Sequence, residues 1–166
     1  ALKEITPVKD KTILILGYGG AARPIAFALS QEKPKAIYIA GRKESEAGKL
    51  AKEIQDKTGI LTDRQPWQQA LDYDILINTT PAGMWPHAQE TPWPENLLIP
   101  ETVVFDIVYR PKETLLLSQA KKKGCVLVYG DRMLVYHGAE QFRLWTGQAA
   151  PMEMMNQAMK KLLEHP

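Results

Sequence analysis

The residues whose type and spacing point to chemistry are Gly17, Gly19 and Ala22, set in Leu14-Ile15-Leu16-Gly17-Tyr18-Gly19-Gly20-Ala21-Ala22-Arg23 as G-x-G-x-x-A. That spacing suits recognition of a pyrophosphate. Gly17 can take a backbone shape closed to other residues, Gly19 lets the main chain approach the phosphates, and Ala22 keeps the following helix close to its strand. The unpaired N–H groups at the start of that helix then face the anion. A plain strand-to-helix turn of another α/β protein carries the same letters. What favours a dinucleotide is the setting, between a buried apolar run and a helical pattern.

A second group stands after the next apolar run, at Gly41-Arg42-Lys43. An NAD site usually offers an Asp or Glu to the adenosine ribose at this place, whereas a guanidinium clamps a 2′-phosphate through charge-assisted hydrogen bonds. The expected cofactor is therefore NADP. The alternative is a solvent-exposed basic pair, and Glu44 and Glu46 nearby weaken the positive field.

These residues need strands and helices to hold them. Lys11 to Leu16, Ala36 to Ala40, Asp74 to Asn78, Thr102 to Ile107 and Cys125 to Tyr129 read as buried strands, with Gly59 to Leu61 as a short third strand in chain order. Helices are predicted over Ala21 to Ser30, Ser45 to Gln55, Thr114 to Lys123, Arg132 to Trp145 and Met152 to Leu163, with a short helix or turn over Pro66 to Leu71. The alternation predicts an α/β fold: a doubly wound, mainly parallel sheet of about six strands, Rossmann-type, in three layers α/β/α. The Pro81 to Pro100 stretch is too long for a simple connection and is expected to carry function or a lid.

The 166 residues suit one domain, with residues 1–10 as a connector from a preceding domain and residues 11–166 as the NADP-binding unit. A net charge of +2 with scattered lysines gives no footprint for nucleic acid. No run is long enough to span a membrane and no leader pattern appears, so a cytoplasmic location is expected. Cys125, the one cysteine, reads as a small core residue, and no metal site suggests itself.

Five segments then carry a family resemblance in order and spacing. They are Gly17 to Arg23, Asp74 to Met84, Val104 to Tyr109, Gly130 to Ala139, and Phe142 to Gly147 with Ala150-Pro151. Together they resemble the C-terminal, NADP-binding half of shikimate dehydrogenases. The resemblance implies that Gly17, Tyr18, Gly19, Gly20 and Ala21, with Ala22, bind the pyrophosphate, and that Gly41, Arg42 and Lys43 take the 2′-phosphate. It assigns Thr79, Thr80, Pro81 and Met84 to the dinucleotide wall, and Ile107, Gly130, Met133 and Leu134 to the nicotinamide end. Tyr109 and His137 would face the substrate, shikimate or an analogue. Read without the resemblance, Met133 and Leu134 are core, Tyr109 a strand-end aromatic and His137 a surface histidine.

Two residues depart from the family pattern. Glu46 stands where a second basic clamp is usual, and His137 where a glutamine usually bonds the substrate, which leaves quinate or another relative of shikimate open as substrate. The Lys and Asp pair that moves the proton in such enzymes belongs to a preceding substrate domain that this sequence does not match. The chain is accordingly expected to bind cofactor without being catalytic alone; a free-standing NADP-binding or regulatory module is the alternative. The apolar Met152, Met154, Met155, Met159, Leu162 and Leu163 predict a contact face on the last helix, open to the missing domain or to self-association.

Overall fold

The computed structural model describes residues 1–164. Strands β1 (Thr12–Leu16), β2 (Ala36–Ala40), β3 (Thr62–Gln65), β4 (Ile75–Asn78), β5 (Val103–Asp106) and β6 (Val126–Val128) form one sheet in the order β3-β2-β1-β4-β5-β6. All neighbouring pairs are parallel. The apolar residues of β1, β2 and β4 explain why they sit at the centre, since a parallel strand is buried on both faces. Ile13, Leu14, Ile15, Leu16, Ile37, Ile39, Leu76 and Ile77 are all fully buried.

Alternate strand residues feed two cores. On one face Ile13, Ile15, Ile37, Ile39 and Ile77 meet α1 (Ala22–Ser30) and α2 (Glu44–Thr58) through Ala26, Leu29, Leu50 and Ile54. On the other, Leu14, Leu16, Leu76 and Val104 meet Leu116, Leu117 and Ala120 of α3 (Leu115–Lys122). Helices α4 (Gly130–Thr146) and α5 (Met152–Glu164) close the chain. The doubly wound, three-layer arrangement is as the strand and helix pattern predicts.

Two local expectations change. The third strand is Thr62–Gln65, not Gly59 to Leu61. Gly59 instead ends a longer α2, where its φ of 71° makes the left-handed cap that donates its N–H to the Gln55 carbonyl. Of the short helix or turn expected over Pro66 to Leu71, the turn is what forms, at Trp67 and Gln68. The stretch after Pro81 is also not all lid. Its second half puts Trp93 and Leu98 into the core beside Tyr73, where the β4–β5 crossover has only a 3-10 turn at Glu95–Leu97 in place of a helix. Trp93 is fully buried, stands edge-to-face to Tyr73 at 6.4 Å, and donates its Nε1–H to the Leu97 carbonyl at 3.1 Å.

The last helix is also less open than its composition predicts. Met159 is buried, and Met155 reaches within 3.1 Å of the place a Cβ on Gly138 would occupy, so α5 lies close on α4. Met154 and Leu162 of α5 project outward, as do Leu144 and Trp145 of α4. Among the described residues no helix is long and apolar enough to cross a membrane, and no group of three or more His, Cys, Asp and Glu side chains is arranged to hold a metal ion.

Candidate functional site

Parallel pairing in register brings the last residues of four strands into one row: Ala40 beside Leu16, Leu16 beside Asn78, and Asn78 beside Asp106. The chain leaves every strand along that row. Gly17 N–H donates to the Ala40 carbonyl at 2.7 Å, Thr79 N–H to Leu16 at 2.9 Å, and Ile107 N–H to Asn78 at 3.2 Å. The strand order reverses between β1 and β4, so the loops after these two strands part there and leave a crevice.

Gly17 takes φ +110°, and a Cβ there would stand 2.5 Å from Thr79 Oγ1. That hydroxyl is itself held, donating to the Leu16 carbonyl at 2.6 Å. Gly17 is thus the residue that lets the two loops approach. A Cβ on Gly19 or Gly20 would meet nothing within 4 Å, so the turn into α1 faces open space. Ala22 is fully buried beneath it and acts by packing. Beside the turn, the Tyr18 ring lies on Gly41, where a Cβ would come within 2.4 Å of two ring carbons.

A cleft of about 390 Å³ runs along this edge. Gly17, Tyr18, Gly19, Gly41, Arg42, Thr79, Thr80 and Pro81 line it. Gly20 and Ala21 continue the turn, and exposed Lys43 is the residue before α2. Among the described residues no carboxylate pairs with the exposed Arg42 guanidinium. The two nearby acids have other partners: Glu44 pairs with Arg64, and Glu46 accepts from Lys49 Nζ at 2.7 Å.

The outer wall was not predicted. It consists of Trp67 and Gln68 from the turn after β3, and Glu90, Thr91 and Pro92 from the loop after β4. Gln68, at φ 56°, donates from Nε2 to the Pro92 carbonyl at 3.3 Å and so joins the two segments. Its left-handed backbone had no glycine or asparagine to announce it.

Other proposed site residues lie away from this cleft. Met84 is exposed and does not line it. Ile107 and Gly130 are together: a Cβ on Gly130 would come within 2.4 Å of the Ile107 carbonyl oxygen, so only glycine lets the start of α4 meet the loop after β5. Leu134 lies one turn further along α4, half-buried, and Tyr109 is partly exposed after β5. Met133 and His137 line a separate apolar cavity against α1, with Ile77 and Phe105 at its floor.

Beneath the cleft lies a buried carboxylate. Asp106 is fully buried, and its Oδ1 accepts from Asn78 Nδ2 at 2.9 Å and Val108 N–H at 3.0 Å. Oδ2 accepts from Thr114 Oγ1 at 2.6 Å. Burial pushes this acid up to about 6, against the opposing pull of Thr114, Val108 and Asn78. An acid raised in the folded state binds its proton more firmly there than in the unfolded chain. Its contribution to stability is therefore present at low pH and lost as pH rises through about 6. Between about pH 5 and pH 7.5 it should take away roughly 1–1.5 kcal/mol. Urea denaturation should show that decline in the parent protein and a flatter profile in Asp106→Asn. Equal slopes in both would contradict the assignment.

The family described as shikimate / quinate 5-dehydrogenase matches residues 1–91. The chain belongs to that family. A shikimate dehydrogenase (NADP(+)) of Methanobrevibacter smithii is 42% identical over 172 residues, covering 99% of this chain and 60% of the relative. A crystal structure of a shikimate dehydrogenase in complex with NADP+ superposes with a TM-score of 0.91 at 40% identity, over 97% of this chain and 57% of that one. The ligand-free 5-ketofructose reductase of Gluconobacter sp. strain CHM43 gives 0.89 at 35% identity, over 97% and 60%. The chain thus spans about 60% of the length of these relatives.

Proposed function

We infer that the cleft binds NADP(H) and that this chain is the cofactor-binding part of a shikimate dehydrogenase. The observation that carries the reading is Arg42, a guanidinium on the cleft wall with no carboxylate partner among the described residues, next to a glycine turn open to solvent. The NADP named for the Methanobrevibacter relative and bound in the crystal structure supports the same choice. Backbone N–H groups from Gly17 to Ala21 hold the pyrophosphate, with Gly41, Arg42 and Lys43 at the 2′-phosphate and Thr79, Thr80 and Pro81 along the opposite wall.

Bound NADPH would supply a hydride to 3-dehydroshikimate, and bound NADP+ would accept one from shikimate. Ile107, Gly130, Met133 and Leu134 orient the nicotinamide end, while Tyr109 and His137 face the substrate. The proton is handled by a Lys and Asp pair in a substrate domain, to which residues 1–10 connect and which this chain needs for turnover. His137 and the likeness to a 5-ketofructose reductase support a second reading, in which the ketone is another polyhydroxylated compound such as a quinate relative. A cytoplasmic location belongs to the same reading. Contact with the substrate domain covers the outward Leu144, Trp145, Met154 and Leu162; without it the chain self-associates through them, and a clean monomer in sedimentation at high concentration contradicts that.

Calorimetric titration with NADPH and NADH tests the cofactor. Charge-assisted contacts to the 2′-phosphate are worth about 1.5–3 kcal/mol, so NADPH should bind at least about tenfold tighter. Arg42→Ala should remove that preference and leave NADH binding in place. Equal affinity for the two cofactors in the parent protein would overturn the assignment of Arg42.

A further inference from the structure

Asp106 and Asn78 end adjacent strands under the cleft, and neither lines it. Their hydrogen bonds nevertheless reach it. Asn78 Nδ2 donates to Asp106 Oδ1 at 2.9 Å and, at a longer 3.4 Å, to the Ala82 carbonyl, which turns Asn78 Oδ1 toward the loop above. There it accepts from Thr80 N–H at 2.9 Å and Thr80 Oγ1 at 2.7 Å. The amide orientation is fixed by this pattern, because a carboxylate only accepts and a backbone N–H only donates. Thr80 is a wall residue of the cleft, and its Oγ1 in turn accepts from Ala82 N–H at 3.3 Å.

The carboxylate has a second arm, away from the cleft. Oδ2 accepts from Thr114 Oγ1, which caps α3 by accepting from Leu117 N–H at 3.3 Å. Oδ1 also takes Val108 N–H in the loop after β5. One buried group thus fixes the loop after β4, the loop after β5 and the start of α3. Nothing smaller or apolar at this place would satisfy the Asn78 and Val108 donors, which is a reason to retain a carboxylate whose burial is costly.

We propose that Asp106 is a positioning residue for the dinucleotide: acting through Asn78, it holds Thr80 and the cleft wall in the shape that receives the cofactor, without touching it. The proposal rests on the reading of the cleft as the NADP(H) site. Its two arms make it separable from a general stabilising role. Loss of the carboxylate leaves Asn78 Nδ2 with only the longer Ala82 contact and loosens its hold on Thr80, whereas loss of the Thr114 hydroxyl weakens only the cap of α3.

The test uses the chain with Asp106→Ala, Asp106→Asn and Thr114→Val, measuring melting temperature, NADPH dissociation constant and amide hydrogen exchange at Thr80 and Ala82. Asp106→Ala should weaken NADPH at least tenfold and speed exchange at both amides. Asp106→Asn keeps an acceptor for Asn78 and should stay within about threefold of the parent. Thr114→Val should lower the melting temperature while leaving affinity within about twofold and exchange at Thr80 unchanged. Unchanged affinity in Asp106→Ala, or equal weakening in Thr114→Val at the same loss of melting temperature, overturns the proposal. If the parent protein binds no NADPH, the reading of the cleft fails by itself. Exchange at Thr80 then still decides the clasp: unchanged exchange in Asp106→Ala refutes it.

Discussion

Trp93→Ala is expected to cost about 3–5 kcal/mol of stability, the range for removing a large buried aromatic. The site explains why the loss should be large. No helix spans the β4–β5 crossover, and the indole fills that part of the core, fully buried against Tyr73 and the strand residues Leu76 and Val104. Truncation removes the apolar contact and one of the two donors to the Leu97 carbonyl, leaving Tyr73 Oη–H at 3.1 Å as the other. Trp93→Phe keeps most of the volume but loses the Nε1–H bond and part of the buried ring, so about 1–2 kcal/mol is expected. Denaturation in urea compares the two. A loss below about 1 kcal/mol for Trp93→Ala would mean that this loop is not part of the core.

Gly17→Ala should damage both stability and binding. The φ of +110° is a backbone region that side chains rarely enter, worth about 1–3 kcal/mol of strain. The added methyl also meets Thr79 Oγ1 at 2.5 Å and Thr80 Cγ2 at 3.2 Å. Thr79 cannot turn away freely, because its hydroxyl is bonded to the Leu16 carbonyl. The wall must move outward, so NADPH should weaken at least about tenfold, which is about 1.4 kcal/mol or more. Gly59→Ala separates strain from site: it shares a positive φ, of +71°, but its Cβ would meet open space far from the cleft. That variant should lose about 1 kcal/mol of stability and none of its affinity. Unchanged NADPH affinity in Gly17→Ala would remove this turn from the cofactor site.

How far the sequence was legible follows from where each signal resides. β1, β2 and β4 could be read because full burial in a parallel sheet demands unbroken apolar runs, and Leu14-Ile15-Leu16 or Ile75-Leu76-Ile77 leave little alternative. β3 could not be read, because Thr62–Gln65 is a polar edge strand held by pairing to β2, which overrides its own weak propensity. The glycine taken as its start belonged to the preceding helix. Trp93 and Leu98 lack any helical or strand period, so their place in the core is set by the gap they fill. The inner wall of the cleft was legible because Gly17, Arg42 and Thr79 follow strands directly. The outer wall depends on Gln68 reaching Pro92, a contact between loops separated by a whole strand. Asp106 carries no signal of its own within Val104 to Tyr109, since only the register of β4 and β5 sets it beside Asn78.

The central claim is that the row of loops at the ends of β1, β2 and β4 is the cofactor site. It is tested most directly by following the backbone amide resonances of the 18.7 kDa chain while NADPH is added. The account predicts saturable shifts concentrated at Gly17 to Ala22, Gly41 to Lys43, Thr79, Thr80 and Ala82, with smaller changes at Ile107 and Gly130. Shifts confined to the apolar cavity between α1 and α4, or no saturable shifts at all, would contradict it.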